Sequence, residues 1–136
     1  GRIKDNFKSS KGKYVAPAPI EHKLIQNPSL DACLVIGSGL SQPVGIVVLN
    51  EAAIARLPAA RAAIEADLAR HLQAINATLD PHEKLDYLVI STKAWTPENG
   101  MLTPTLKAKR ASIEKHFAAR IETWGNRHAS VVWEEE

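Results

Sequence analysis

The sequence predicts an α+β fold, in which an N-terminal β-hairpin is followed by a small three-stranded sheet that helices cover. Two observations support this prediction. The runs 32–36 and 44–49 have strand composition and are apolar on both faces, which is typical of strands buried between two layers. Apolar residues then recur at helical spacing over 64–79, which predicts an amphipathic helix able to cover such a sheet.

The N-terminal segment is strongly basic. Only Asp5 and Glu21 oppose the positive charges in residues 1–23, and residues 9–12, Ser-Ser-Lys-Gly, have turn composition. We therefore predict a β-hairpin with its tip near Lys11 and Gly12, where glycine supplies a positive φ angle or lets a ligand approach the backbone. The six basic residues are Arg2, Lys4, Lys8, Lys11, Lys13 and Lys23.

A short helix and two strands are expected next. Pro19 suits a first helical turn, and Asn27-Pro28 ends that helix. The strands 32–36 and 44–49 are both placed centrally in the sheet. The turn between them, 37–42, is not a phosphate-binding loop, because it lacks the Gly-Lys-Ser/Thr sequence and the helix that such a loop needs.

The second half of the chain alternates helix and strand. Asn50 is expected to cap a short helix that ends near Leu57, and Pro58 to start the long amphipathic helix. Residues 85–91 form the third predicted strand. A final helix follows, and Gly125 is its expected end. The tail is expected to be frayed, although the sequence does not decide whether its apolar residues 131–133 dock. The stripe of the last helix consists of Ile113, Phe117, Ile121 and Trp124.

Composition excludes several classes of protein. The chain has 136 residues, which fits one small domain, and its net charge of +2 is too small to indicate nucleic acid binding. A single cysteine, Cys33, rules out an internal disulfide framework and suits a reducing compartment. No apolar stretch is long enough to span a bilayer and no signal peptide is recognisable, so we expect a cytoplasmic protein. The chain begins at Gly1 with a structured pattern already under way, so we expect it to be part of a longer protein.

No self-contained catalytic constellation is visible. None of the five histidines pairs with another at metal-ligand spacing, so we expect no metal site, and no serine lies in a nucleophile-elbow motif. The remaining candidates are two basic loops, the hairpin and the stretch 102–110, Leu-Thr-Pro-Thr-Leu-Lys-Ala-Lys-Arg. The second loop presents Lys107, Lys109 and Arg110 before the final helix.

These two loops together resemble a known family. Residues 1–5 (Gly-Arg-Ile-Lys-Asp), Lys8, 11–17 (Lys-Gly-Lys-Tyr-Val-Ala-Pro) and 20–21 (Ile-Glu) resemble the segment that opens the C-terminal domain of acyl-adenylate-forming enzymes, the AMP-dependent synthetases and ligases. Residues 102–110 resemble the lysine motif of the long-chain fatty acyl-CoA synthetase branch. The resemblance covers nearly the whole chain. Two departures are a lysine at position 4, where aspartate is common, and Thr105-Leu106, where the more widespread motif has Ser-Gly.

The resemblance implies a lid that works with a separate N-terminal adenylation domain. In this family a carboxylate and ATP first give acyl-AMP and pyrophosphate, and the thiol of coenzyme A then displaces AMP. The implied segments are 1–16 (hinge and hairpin), 17–91 (helix and sheet core), 92–110 (catalytic lysine loop) and 111–136 (final helix and tail). The N-terminal domain would bind the fatty acid, ATP and Mg²⁺, so this chain alone is expected to be inactive, and the full-length enzyme is compatible with peripheral membrane association.

The resemblance also assigns roles to individual residues. Lys107 matches the lysine that enters the active site for adenylation, and Lys4 the hinge. Arg2 matches an arginine near the ribose of the nucleotide. The Lys8–Gly12 loop, with Lys11, matches the face that lines the pantetheine path during thioester formation.

Two alternatives remain open. Within the superfamily, the acyl group could pass to a carrier-protein pantetheine, or the adenylate could be the final product. Alternatively, the basic hairpin could be a non-catalytic nucleic-acid-binding module. Few aromatic residues are interleaved with the lysines, whereas single-strand binders usually stack bases on such rings, so no nucleic acid partner is expected.

Overall fold

The computed structural model describes residues 5–135 and confirms the α+β class. Its elements in chain order are β1 (Phe7–Lys8), β2 (Tyr14–Val15), α1 (Pro17–Leu24), β3 (Leu30–Ile36), β4 (Val44–Leu49), α2 (Glu51–Ala55), α3 (Arg61–Asn76), β5 (Leu88–Ser91), α4 (Arg110–Gly125) and β6 (Val131–Trp133), with a 3₁₀ turn at Pro81–Glu83 before β5.

The main sheet has four strands in the order β3-β4-β5-β6, one more than predicted. Strand β3 is antiparallel to β4, while β4, β5 and β6 are mutually parallel. The additional strand is β6, so the C-terminal tail is docked rather than frayed, because Val132 and Trp133 are buried against the core. The placement of both early strands at the centre of the sheet was half wrong: β4 is central, whereas β3 forms an edge.

Helices cover both faces of this sheet, as the apolar runs indicated. One face packs against α1, α2 and α3, and the other packs against α4. The sequence of strand β4 is apolar throughout because both of its faces are covered. Val47 and Leu49 point into the first layer, while Ile46 and Val48 point into the second. The whole predicted stripe of α4 is buried, and each such side chain contributes roughly 1.5–3 kcal/mol on leaving water.

The helix boundaries differ slightly from those predicted. Asn50 caps α2 as expected, since its side chain accepts a hydrogen bond from the Ala53 N–H at 2.9 Å. Helix α3 begins at Arg61 rather than Pro58 and ends at Asn76, so Leu79 packs against the core from outside the helix. The third predicted strand is shorter than 85–91 and begins at Leu88. In the described part of the chain, no helix is long and apolar enough to cross a bilayer.

The predicted hairpin is present and is docked on the β3–β4 turn. Gly12 has φ +82° at its tip, as expected for a position that favours glycine. The Ser10 N–H donates to the Leu40 carbonyl at 2.9 Å, and the Gly39 N–H donates to the Lys8 carbonyl at 3.0 Å. The ring of Phe7 lies so close to Gly37 that a Cβ atom there would be 2.5 Å from it. The hairpin therefore packs directly against the 37–42 turn.

The carboxylate of Glu134 fixes the end of the tail. Ser91 Oγ donates to it at 2.6 Å, His116 Nε2 lies 3.0 Å from it, and Arg120 Nη2 lies 3.4 Å from it. Burial raises the pKa of this carboxyl, but the hydrogen bonds from Ser91, His116 and Arg120 outweigh burial, so the pKa of Glu134 is lowered.

The lowered pKa makes the contribution of Glu134 to stability dependent on pH. A group whose pKa is lower in the folded state stabilises fully above its unfolded value of 4.5, and this stabilisation is lost as pH falls through the folded value. The difference in Tm between wild type and Glu134→Gln should therefore shrink on acidification from about pH 7 to about pH 3. Circular dichroism melts test this, with the exposed neighbour Glu135→Gln as control. A difference that is constant over this range would contradict the assignment.

Candidate functional site

The 102–110 stretch forms a closed loop that displays Lys107. Its two ends are joined by an antiparallel bridge between Leu102 and Ala108, and the Lys109 N–H donates to the Met101 carbonyl at 2.8 Å. Inside the loop, the Thr103 N–H donates to the Lys107 carbonyl at 2.8 Å. Lys107 is exposed at the point where the loop turns back toward α4. Its backbone is thus fixed while its ammonium group remains mobile.

Thr103 and Leu106 determine the shape of this loop. The hydroxyl of Thr103 accepts a hydrogen bond from the Lys107 N–H at 3.1 Å, and its carbonyl accepts one from the Leu106 N–H at 2.8 Å. Leu106 has φ +67°, a left-handed conformation that glycine favours and leucine seldom adopts. This is the position at which the more widespread motif has glycine. The turn is therefore left-handed here with leucine in place of glycine, and Leu106 is 67% exposed.

Arg110 anchors the loop to the edge of the sheet. Its guanidinium donates through Nη1 to the Val35 carbonyl at 2.8 Å and through Nη2 to Glu21 Oε2 at 2.9 Å. The same Glu21 oxygen accepts the Val35 N–H at 2.8 Å. Both backbone groups of Val35 on the free edge of β3 are therefore bound by side chains, as a neighbouring strand would bind them. We call the Glu21–Val35–Arg110 contacts the edge clamp.

The segment leading into the loop is also ordered by hydrogen bonds. Thr96 and Asn99 exchange bonds, with the Thr96 N–H donating to Asn99 Oδ1 at 3.0 Å and the Asn99 N–H donating to Thr96 Oγ1 at 3.1 Å. The amide of Asn99 also donates to the Ala94 carbonyl at 2.9 Å. Trp95 is buried in the α4 layer of the core. Lys107 is therefore carried by a connector that is held at several points between β5 and α4.

The basic hairpin presents its own set of charges. Lys11 Nζ donates to the neutral oxygen Gln42 Oε1 at 3.2 Å, and Gln42 in turn donates to the carbonyls of Pro81 and Lys84. Lys8 Nζ lies 5.8 Å from the centroid of the exposed Tyr14 ring, a cation–π distance. Among residues 5–135, neither of these ammonium groups nor that of Lys107 forms an ion pair with a carboxylate. All three are therefore available to an anionic ligand.

The surface around Gly12 is open. Among the residues that the structure describes, a Cβ atom added there would meet only Lys8 Cε, at 3.9 Å. A larger side chain would thus extend away from the domain, toward whatever the hairpin faces.

The structure does not bring the two basic loops together. The hairpin sits on the 37–42 turn, beyond the end of β3, whereas Leu106 lies beside α1 and residues 31–33 at the other half of that strand. The two basic loops therefore lie at separate places on the domain. Two further predicted site residues, Arg2 and Lys4, lie outside the described residues.

Cys33 is not a candidate nucleophile. It is partly buried beside the loop, and its thiol donates to the Glu21 carbonyl at 3.4 Å. Burial, aided by the charge of Glu21, raises the pKa of Cys33 to about 12, so its thiol stays protonated near neutral pH. In the part of the chain that the structure describes, no three His, Cys, Asp or Glu side chains are grouped to hold a metal ion.

Sequence reasoning missed the contacts of Glu21, Gln42 and Glu134. Glu21 was noted only as part of a motif and as one of two acids among many basic residues. Its spacing to Arg110, 89 positions along the chain, gives no local signal. Gln42 and Glu134 likewise acquire partners only through folding.

Comparison with known proteins places this geometry in context. The family model described as "AMP-binding enzyme C-terminal domain" matches residues 4–128. Fatty acyl-CoA synthetase A of Dictyostelium discoideum is 28% identical over 141 residues, which cover 90% of this chain and 21% of that protein. Long-chain-fatty-acid–CoA ligase 6 of Homo sapiens is 29% identical over 136 residues, which cover 89% and 20%, respectively. This chain therefore spans about a fifth of the length of these curated relatives.

A solved structure shows the same arrangement of elements. The A-PCP didomain of a carboxylic acid reductase from Segniliparus rugosus, determined in complex with AMP, superposes with a TM-score of 0.74 at 27% identity. The match covers 93% of this chain and 18% of that one.

Removing the guanidinium of the edge clamp should destabilise the domain. In Arg110→Met the Val35 carbonyl and Glu21 lose their charged donor, and a partly buried hydrogen bond to a charged group is worth about 1.5–3 kcal/mol. Urea denaturation should show this decrease in the free energy of unfolding. The adjacent exposed Lys109→Met should change it by less than about 0.5 kcal/mol. Equal stability of the two variants would contradict a structural role for the clamp.

Proposed function

Because the chain belongs to the family of AMP-binding enzyme C-terminal domains, we propose that it is the mobile lid of a fatty acid–CoA ligase. The observation that carries this proposal is Lys107, an exposed lysine on a hydrogen-bonded loop that is anchored by the edge clamp. The similarity to fatty acyl-CoA synthetases supports a fatty acid as the carboxylate substrate and ATP as the source of AMP.

In the proposed adenylation step, Lys107 bridges two anions. The attacking carboxylate and the α-phosphate of ATP repel each other, and an ammonium group between them offsets that repulsion as charge develops on the phosphate. One such contact at ~4 Å, with an effective dielectric constant of about 20, is worth around 4 kcal/mol. This corresponds to roughly a thousandfold in rate. The fixed backbone of the loop supports the proposal, because it limits the positions that the flexible Lys107 side chain can reach.

In the proposed second step, the domain rotates and the hairpin replaces the lysine loop at the active site. The thiolate of coenzyme A attacks the carbonyl carbon of acyl-AMP, the thioester forms and AMP leaves. Gly12 offers a backbone without a side chain to the narrow pantetheine path, and Lys8 and Lys11 offer positive charge to the phosphates of coenzyme A. The separate positions of the two loops on the domain support the proposal, because a rotation of the domain can exchange one loop for the other.

The proposed activity needs a second domain. The N-terminal adenylation domain would hold the fatty acid, ATP and Mg²⁺, so the chain alone is inactive. Lys4 is proposed as the hinge, and Arg2 as a contact to the ribose of the nucleotide. A cytoplasmic location remains part of this proposal.

The structural likeness to a carboxylic acid reductase favours a second candidate function. In that case Lys107 would serve the same adenylation step, but the acyl group would pass to a carrier-protein pantetheine. Assaying the full-length enzyme with free coenzyme A and with a pantetheinylated carrier domain distinguishes the two acceptors.

Lys107→Ala in the full-length enzyme should lower the rate of adenylation by about a thousandfold. Thioester formation from supplied acyl-AMP and coenzyme A should stay within about twofold of wild type. Pyrophosphate release measures the first step, and acyl-CoA formation the second. Lys109→Ala, two residues away, is the control and should retain both. Equal loss of both half-reactions would refute the role of Lys107.

Gly12→Leu should slow thioester formation more than adenylation, because its side chain would enter the pantetheine path. Gly12→Ala is the matched control, since it carries the same backbone strain at φ +82° but adds only a methyl group. The leucine variant should lose at least about tenfold more of the second half-reaction than the alanine variant. If both variants retain the same rate from acyl-AMP, the hairpin does not line this path.

A further inference from the structure

We propose that Glu134 is a positioning residue for the Lys107 loop: its buried carboxylate links Ser91, directly before the connector of residues 92–109 that carries the lysine, to α4, the helix directly after it. This inference rests on the proposed function of Lys107. The residue is 7% exposed and contacts the end of β5 on one side and α4 on the other. It also lies beyond residues 4–128, the part of the chain that matches the family.

The first end of the connector is held through Ser91. Ser91, the last residue of β5, is 1% exposed and donates its hydroxyl to Glu134 Oε1 at 2.6 Å. The Lys93 N–H donates to the same hydroxyl oxygen at 3.2 Å. The carboxylate therefore fixes the position of Ser91 Oγ, to which the backbone binds where the chain leaves β5.

The second end is held through α4, which begins directly after the loop. His116 Nε2 lies 3.0 Å and Arg120 Nη2 3.4 Å from Glu134 Oε2. Arg120 Nη1 also donates to the Glu134 carbonyl at 2.8 Å. His116 lies six residues into α4, about 9 Å along the helix axis from Arg110. The carboxylate thus links the end of β5 to α4, the helix that follows the connector.

The carboxylate itself is held in place by β6. The Glu134 N–H donates to the Ile90 carbonyl at 2.9 Å, which extends the parallel pairing of β5 and β6 by one residue. Val132 and Trp133, which precede it, are 2% and 1% exposed. Glu134 is therefore a rigid contact rather than a mobile terminal side chain.

The arrangement does not make Ser91 a nucleophile. Its hydroxyl donates to Glu134, and the histidine contacts the other oxygen of the same carboxylate. The carboxylate that accepts this hydrogen bond is also bound by His116 and Arg120, which lower its pKa, so it is a weak base that positions Ser91 without taking its proton.

Two anchors thus act on the lysine connector at different places. The edge clamp holds the start of α4 against β3, and Glu134 holds the end of β5 against α4. The loop between them can hold the backbone of Lys107 in a fixed place only when both ends are fixed, and alignment to within about an ångström governs the rate of such a step.

Hydrogen exchange and half-reaction rates in the full-length enzyme test this inference. Glu134→Gln removes the charge and one acceptor, so amides of 92–109 should exchange about tenfold faster, while those of β4 should not change. Glu135→Gln is the matched control, because among the described residues its exposed carboxylate accepts a hydrogen bond from the half-buried Thr92 hydroxyl at 2.8 Å and has no contact to α4, so it does not link β5 to that helix. His116→Gln, at an exposed position of α4, is the second variant and should accelerate exchange in the same segment.

The kinetic measurement separates positioning from a general loss of structure. Adenylation by Glu134→Gln should fall by about tenfold through kcat, while thioester formation from supplied acyl-AMP stays within about twofold. Unchanged exchange over 92–109 in both variants, or equal loss of both half-reactions, would overturn the inference. A wild-type enzyme that makes no acyl-AMP would instead refute the proposed function, and the exchange measurement would still decide whether Glu134 braces the connector.

Discussion

The edge clamp is the contact on which the presentation of Lys107 depends. Strand β3 has one free edge, and free strand edges expose unpaired backbone groups. At Val35 both groups are bound by Glu21 and Arg110 rather than by another strand. Since Arg110 is also the first residue of α4, the same contact that closes the sheet edge sets where the lysine loop ends. The Glu21–Arg110 ion pair therefore contributes both to closing the edge of the sheet and to the proposed placement of Lys107.

The two basic loops of this domain are stiffened in different ways. The hairpin is short and relies on backbone bonds to the 37–42 turn and on Phe7 packed against Gly37. The lysine loop relies on Thr103 within the loop and on the edge clamp at its end, and Glu134 is proposed as a second anchor. Each loop thus leaves its ammonium groups exposed while its backbone is fixed. Such an arrangement supports the proposed function, in which the domain presents each loop in turn to its partner domain.

Much of the fold was predictable from local patterns. The unbroken apolar run of β4 indicated a strand covered on both faces, and the side-chain oxygen of Asn50 indicated a helix start. The spacing of Ile113, Phe117, Ile121 and Trp124 gave the buried face of α4 correctly. The site was predictable in part: the lysine loop and the glycine at the hairpin tip were identified from motifs. The roles of these residues remain proposals. The left-handed conformation of Leu106 was not predictable, because leucine gives no local sign of it.

The sequence alone determined the class of fold, the order of most elements, the two basic loops and the family resemblance, because periodicity, turn chemistry and short motifs are local properties. Tertiary structure decided the edge position of β3, the docking of 131–133 as a fourth strand, and the partners of Glu21, Arg110 and Glu134. These side-chain contacts join residues between 14 and 89 positions apart, such as Arg120 with Glu134 and Glu21 with Arg110. No local pattern encodes such pairs, since they form only when the packing of helices on the sheet brings their side chains together.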